Sequence, residues 1–219
     1  MNIKKVSGDK TSKASSGLYN NVGGAYSSLG EHGEALEYFE KALAMNIEEF
    51  GKNSHHPQIA VNYLSIAEVH NRQENFDMAL TNALKSLTMY QDAYGEASYH
   101  PNFAKSYCVI AKAHTGRREC SKGIENALKS LDILKVIYGA DAQHPDIADI
   151  YVFLGHIYTC TGEHTLALQN LDDGLDMLIS TSDTELMNAK VKECFLRLFN
   201  VYEKLGNLYS AEDTDTGIS

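Results

Sequence analysis

The sequence predicts an all-α protein, an α-solenoid of antiparallel helix pairs. Three observations predict it. First, a block recurs every 44 residues in register. His56-Pro57-Gln58-Ile59-Ala60 returns as His100-Pro101-Asn102-Phe103-Ala104 and as His144-Pro145-Asp146-Ile147-Ala148, and 101 − 57 = 145 − 101 = 44. Second, aromatic and small residues inside each block are spaced as on one face of a helix. Third, each block closes on a glycine (Gly51, Gly95, Gly139) and reopens on His-Pro. Glycine past the last periodic residue is a helix stop, and proline is tolerated in the first helical turn because its missing N–H has no partner there. A fixed period of this length means a repeat array. Such an array offers a long surface rather than a single pocket.

In the first repeat, Tyr19, Val22, Gly23 and Tyr26 fall at i, i+3, i+4 and i+7, one face of a first helix. Leu29-Gly30-Glu31-His32-Gly33 supplies the turn. Ala35, Phe39, Ala42, Leu43 and Phe50 share one face of a second helix, and the small Gly23 and Ala35 let the two backbones approach closely. The later repeats keep these slots. The small residue of the first helix is Ala67, Ala111 and Gly155, and that of the second is Ala79, Gly123 and Ala167. The Tyr26 slot holds His70, His114, Tyr158 and Tyr202, read as packing residues. The turns read Gln73-Glu74, Arg117-Arg118, Thr161-Gly162 and Leu205-Gly206.

The repeats are expected over about 16–56, 57–100, 101–144 and 145–182, followed by a terminal capping helix over 183–211. Ser182-Asp183-Thr184-Glu185 reads as a capping box that opens the last helix. The 44-residue register puts Phe199 where Gly23 and Gly155 sit, which a closely packed second helix would not accommodate, so a short stub with Leu208 and Tyr209 is expected after Gly206. Residues 1–15 and 212–219 are expected to be disordered tails, basic and acidic respectively.

The first repeat resembles the tetratricopeptide pattern W-x₂-L-G-x₂-Y…A-x₃-F, with Tyr19 for Trp and Val22 for Leu. The long period, the G…HPxxA loop and the helix Leu18-Tyr19-Asn20-Asn21-Val22-Gly23-Gly24-Ala25-Tyr26 resemble kinesin light chains and related long-repeat proteins, over roughly residues 16–206. The resemblance implies a right-handed superhelix with a concave wall lined by the first helix of each pair. The groove residues it implies are Asn20, Asn21 and Ser27 in repeat one, and Leu64, Ser65, Glu68, Asn71 and Arg72 in repeat two. Val109 and Lys112 follow in repeat three, and Val152, Phe153, His156 and Thr159 in repeat four. Val109 and Phe153 have a second reading, as packing between helices. The asparagine pair that meets an extended peptide in the kinesin light chain family survives only at Asn20-Asn21, and the Lys and Asn pattern of a carboxylate clamp is missing.

Composition narrows the function. The net charge is −10; the tails cancel, with +3 over 1–15 and −3 over 212–219, so the array carries it. An acidic surface disfavours nucleic acid and anionic membranes. It favours a neutral to basic protein or peptide partner. No stretch has the apolar character of a signal peptide or a membrane span. Cys108, Cys120, Cys160 and Cys194 show no CxxC spacing and read as reduced thiols of a cytoplasmic protein. No phosphate loop or nucleophile elbow is present, and no cofactor is expected. Equivalent histidines one helix-packing distance apart cannot converge on one ion, so no metal is expected at His56, His100 and His144.

The expected function is therefore a non-enzymatic interaction module that binds an extended or helical peptide in its groove, as a monomer or weak dimer. His156 would make binding pH-sensitive near its ordinary pKa of about 6.5. The alternatives are a self-association scaffold and a sensor or targeting domain of a larger complex.

Overall fold

The computed structural model describes residues 7–95, 99–181 and 185–215, with side-chain surroundings for 16–95, 99–181 and 189–206. Among the described residues it holds nine α-helices and no strand: α1 Ser7–Leu29, α2 His32–Phe50, α3 Pro57–Arg72, α4 Phe76–Tyr94, α5 Pro101–Gly116, α6 Cys120–Tyr138, α7 Pro145–Thr161, α8 His164–Ser180 and α9 Glu185–Asp215. Odd-numbered helices are the first helices of the repeats, even-numbered ones the second. They fall into two compact units, Met1–Asn126 and Ala127–Ser219, with the division inside α6.

The His-Pro starts work as the sequence implies, with an addition. In α3, α5 and α7 proline takes the first turn and the preceding histidine is the N-cap. The imidazole Nδ1 of His56, His100 and His144 accepts the backbone N–H of Gln58, Asn102 and Asp146 at 3.2, 3.2 and 3.1 Å. Each ring also stacks on the last aromatic of the preceding helix, Phe50, Tyr94 or Tyr138, with centroids 3.6, 4.3 and 3.5 Å apart. The intervening Gly51, Gly95 and Gly139 adopt φ of 95°, 85° and 105°, which turns the chain back on itself and brings ring to ring. Cap, stack and turn together explain these histidines without a metal.

Small residues set the helix-pair spacing. A Cβ on Gly23 would lie 2.9 Å from the Phe39 ring and 3.2 Å from the Ala35 carbonyl oxygen. In the second unit a Cβ on Gly155 would lie 2.5 Å from Leu171 and 3.1 Å from the Ala167 oxygen. These are the same slots, 132 residues apart. Ala67 and Ala111 fill the slot elsewhere and are buried. The HPxx(I/F) positions Ile59, Phe103 and Ile147 are buried core residues.

The chain ends differ from expectation. Helix α1 begins at Ser7, so residues 7–15 are helical rather than disordered. Helix α9 runs unbroken through Gly206 to Asp215, so Leu208 and Tyr209 continue it instead of forming a stub, and residues 212–215 are helical too. Residues 182–184 of the proposed capping box lie outside the described residues.

Candidate interaction surface

In the first unit, the first-helix side chains divide into packed and accessible sets. Asn20 belongs to a buried ladder: Asn62 Nδ2 donates to Asn20 Oδ1 at 2.9 Å, and Asn46 Nδ2 donates to Asn62 Oδ1 at 2.6 Å. Asn20 is therefore held as a structural amide, whereas Asn21 is exposed. Three implied groove residues are packed instead of displayed: Ser27 is 8% exposed, Leu64 3% and Val109 2%. Helical rotation explains them. All three side chains are turned into the packed interior of the first unit, so bulk is not tolerated there. The Ser27 carbonyl oxygen accepts Arg72 Nη1 at 3.0 Å, which ties α1 to α3.

Between α3 and α5 accessible side chains converge over the packed Val109. Glu68, Asn71 and Arg72 of α3, Val109 and Lys112 of α5 and Phe76 of α4 line one cavity of about 200 Å³. The local sequence builds it. Gly116 at the end of α5 lets the Phe76 ring in: a Cβ there would lie 2.2 Å from it. Asn71 Nδ2 donates to the Val109 carbonyl oxygen at 3.0 Å and fixes the wall. Asn71 Oδ1 is buried and accepts no hydrogen bond among the described residues. Lys105 and Glu68 pair across the two helices at 3.2 Å. Glu68 and Lys112 are register equivalents (68 + 44 = 112), so opposite charges stand on neighbouring helices at one level.

The second unit treats the same register differently. Val152 packs into α8: a Cβ on Gly174 would sit 2.8 Å from its Cγ2. Thr159 Oγ1 donates to the Gly155 carbonyl oxygen of its own helix at 2.7 Å. Ser65 and Phe153 are half-buried in their respective units. Lys190 of α9 bonds Asp149 of α7 at 2.6 Å. His156 is half-buried toward α9, and burial together with Arg197 and Lys204 lowers its pKa against the opposing pull of Glu193. It therefore titrates below the ordinary histidine range expected for it.

Of the fourteen implied groove residues, the structure brings five together: Glu68, Asn71, Arg72, Val109 and Lys112. Sequence reasoning missed Phe76, which sits at the start of a second helix, and the amides of Asn46 and Asn62. The signal for Asn46 was there, as an asparagine at a slot that holds Tyr90, Leu134 and Leu178 in the later repeats. Among the described residues, no three His, Cys, Asp or Glu side chains gather as a metal set, and no helix is long and apolar enough to cross a membrane.

The sequence model described as tetratricopeptide repeat matches residues 15–92. No curated protein sequence matches the chain. Among solved structures, BtubC (BKLC) from P. vanneervenii is 16% identical and superposes with a TM-score of 0.70 over 94% of this chain and 85% of that one. A Podosopora anserina protein described as a kinesin light chain with nearly identical TPR-like repeats is 18% identical, with a TM-score of 0.66 over 90% and 89% of the two chains. A Rap protein complexed with Competence and Sporulation Factor is 16% identical, with a TM-score of 0.70 over 89% of this chain and 50% of that protein, so the chain spans about half its length. At these identities the likeness is one of fold, an all-α helical-repeat solenoid. Residues 15–92 match tetratricopeptide repeat sequence, and the described helices share the helical-repeat fold of these structures. Such repeats are typically non-catalytic scaffolds for protein interaction.

Proposed function

We propose that the chain binds an extended segment of a partner protein, neutral to basic in character, along its first-helix wall, seated at the α3–α5 cavity. The observation that carries this is the convergence of Glu68, Asn71, Arg72, Val109 and Lys112 on one recess. Val109 and Phe76 give it an apolar floor. Glu68 and Asn71 Oδ1 are acceptors for peptide N–H groups, and Lys112 is a donor for a peptide carbonyl. An orphaned acceptor in a wall is costly unless a ligand or water meets it, which is what a peptide backbone supplies. The net charge of −10 selects against acidic segments. The complex of the similarly folded Rap protein with a factor supports a binding role for this architecture.

The test is a tiled array of 12-residue peptides, then titration of the best peptide by calorimetry. Glu68→Lys and Lys112→Glu should each weaken binding about tenfold or more, equivalent to about 1.4 kcal/mol. Asp173→Lys on α8 should bind as wild type does. Wild-type affinity in both cavity variants, each shown by circular dichroism to be folded, would overturn the reading.

A further inference from the structure

The outer face of α9 carries a second surface, unrelated to the cavity. Phe195, Leu196, Phe199 and Tyr202 are all more than half exposed, Phe199 reaching 69%. The register shows what this face is. Phe195, Phe199 and Tyr202 stand in the slots of Tyr19, Gly23 and Tyr26. In the first repeat that face packs on the second helix, through Gly23 against Phe39 and Tyr26 stacked on Tyr38 at 5.4 Å. At α9 no second helix of the described chain covers it. The opposite face is used up, since Cys194, Leu198 and Val201 are buried against α8. Helix α9 runs on through Asp215 without turning back over the stripe.

Charge identifies the occupant. Lys192 and Glu203 are exposed at the two ends of the stripe, and neither makes an ion pair among the described residues. Eleven residues at 100° each return to within about 20° of the start, so the two charges share the face of the aromatic stripe, about 16 Å apart. A face with Lys at one end and Glu at the other is complementary to itself in the antiparallel sense. If two copies meet about a two-fold axis midway between Arg197 and Leu198, residue i faces residue 395 − i. Lys192 then meets the partner's Glu203 at both ends, and Leu196 meets the partner's Phe199 between them. A two-fold contact is the commonest way for a soluble chain to cover such a patch.

We propose that α9 is a homodimerisation helix, pairing antiparallel with α9 of a second copy. The stripe from 192 to 203 is only about 16 Å long. That is less than a standard interface of about 800 Å² per partner, so the expected dissociation constant is on the order of tens of micromolar.

Sedimentation equilibrium of the full chain between about 2 and 500 µM, a range that brackets this constant, tests the proposal. The expected result is a monomer–dimer equilibrium that Phe199→Glu abolishes. Phe199 is exposed, so the variant should keep its helical spectrum. Lys192→Glu and Glu203→Lys should each raise the dissociation constant about tenfold, because each places like charges opposite one another twice. An equimolar mixture of those two variants should restore dimerisation, since every pair across the axis is again of opposite sign. A monomer at all concentrations would overturn the proposal and give the face to another partner. A dimer indifferent to Phe199→Glu, or charge variants that the mixture fails to rescue, would overturn it as well.

Discussion

Asn20, Asn46 and Asn62 of the first unit occupy the register positions that Val152, Leu178 and Cys194 occupy in the second (each plus 132). The first trio is a ladder of amides bonded at 2.9 and 2.6 Å. The second is apolar: Leu178 and Cys194 are buried with Val152 packed against their cluster, and burial pushes the Cys194 thiol up to about 11. Yet the helix pairs beside the two junctions are held by matching contacts, Gly23 with Phe39 and Ala35, and Gly155 with Leu171 and Ala167. The difference teaches that small residues at the pair contact and the His-Pro starts set the backbone. The chemistry that fills a junction is then free to vary between amide and apolar side chains.

The largest expected effect tests the shared part. Gly155→Leu and Gly23→Leu should each destabilise by about 3 kcal/mol or more, because the new Cβ itself has no room and the carbonyl behind it cannot yield. Ser28→Leu, at an exposed site, should stay within about 0.5 kcal/mol. Chemical unfolding midpoints read all three. Tolerance of leucine at Gly23 but not at Gly155 would mean that the two units are not built alike.

Next comes the part that differs. Asn62→Leu removes the middle rung and strands the buried Asn46 and half-buried Asn20 amides, at about 2–3 kcal/mol. The triple change Asn20→Val, Asn46→Leu and Asn62→Cys imports the trio of the second unit and should return to within about 1 kcal/mol of wild type, because no polar group is then left unpaired. A triple variant no more stable than Asn62→Leu would show that the ladder is required by the backbone of the first unit.

A smaller effect lies in the turns. Gly30 and Gly162 take φ of 81° and 82°, and the equivalent Glu74 and Arg118 are forced to 61° and 63°. A side chain at positive φ costs about 1 kcal/mol. Glu74→Gly and Arg118→Gly should therefore each stabilise by about 0.5–1 kcal/mol, and Gly30→Ala should lose a similar amount. Thermal unfolding of the single variants checks the sign.

The repeat, the helix boundaries at His-Pro and the Gly23 and Gly155 contacts were legible in the sequence because each depends on residue size or backbone conformation at a fixed spacing. The interaction surface was less so. Leu64, Ser27 and Val109 sit on first helices at the right level, but a few tens of degrees of rotation decide whether a side chain faces the groove or the next helix. Spacing alone does not carry that angle. Residues 7–15 look disordered by composition, yet they continue α1, whose helical hydrogen bonds propagate from a packed segment at little further cost. Phe199 was read as the mark of a cap. The face on which it stands in α9 is exposed and apolar.

The smallest expected effect separates the two units by pH. Position 156 is the register equivalent of 68 and 112, where the first unit has the charged Glu68 and Lys112 beside its cavity. In the second unit His156 is turned toward α9, and burial, Arg197 and Lys204 lower its pKa while Glu193 opposes them. The sign follows from linkage: a histidine depressed in the folded state is protonated first in the unfolded chain, whose value is near 6.5. His156 therefore costs no stability well above pH 6.5. It withdraws stability progressively as pH falls below that value and the unfolded state takes up the proton. Wild type and His156→Gln should show parallel unfolding midpoints between pH 7.5 and 8.5 and diverge between pH 6.5 and 5.5, with the glutamine variant losing less. Carboxylates titrate in both proteins and cancel in the difference. Coincident profiles through pH 5.5 would show that His156 reaches solvent as freely as Lys112 does, and the contrast between the units at this position would fall.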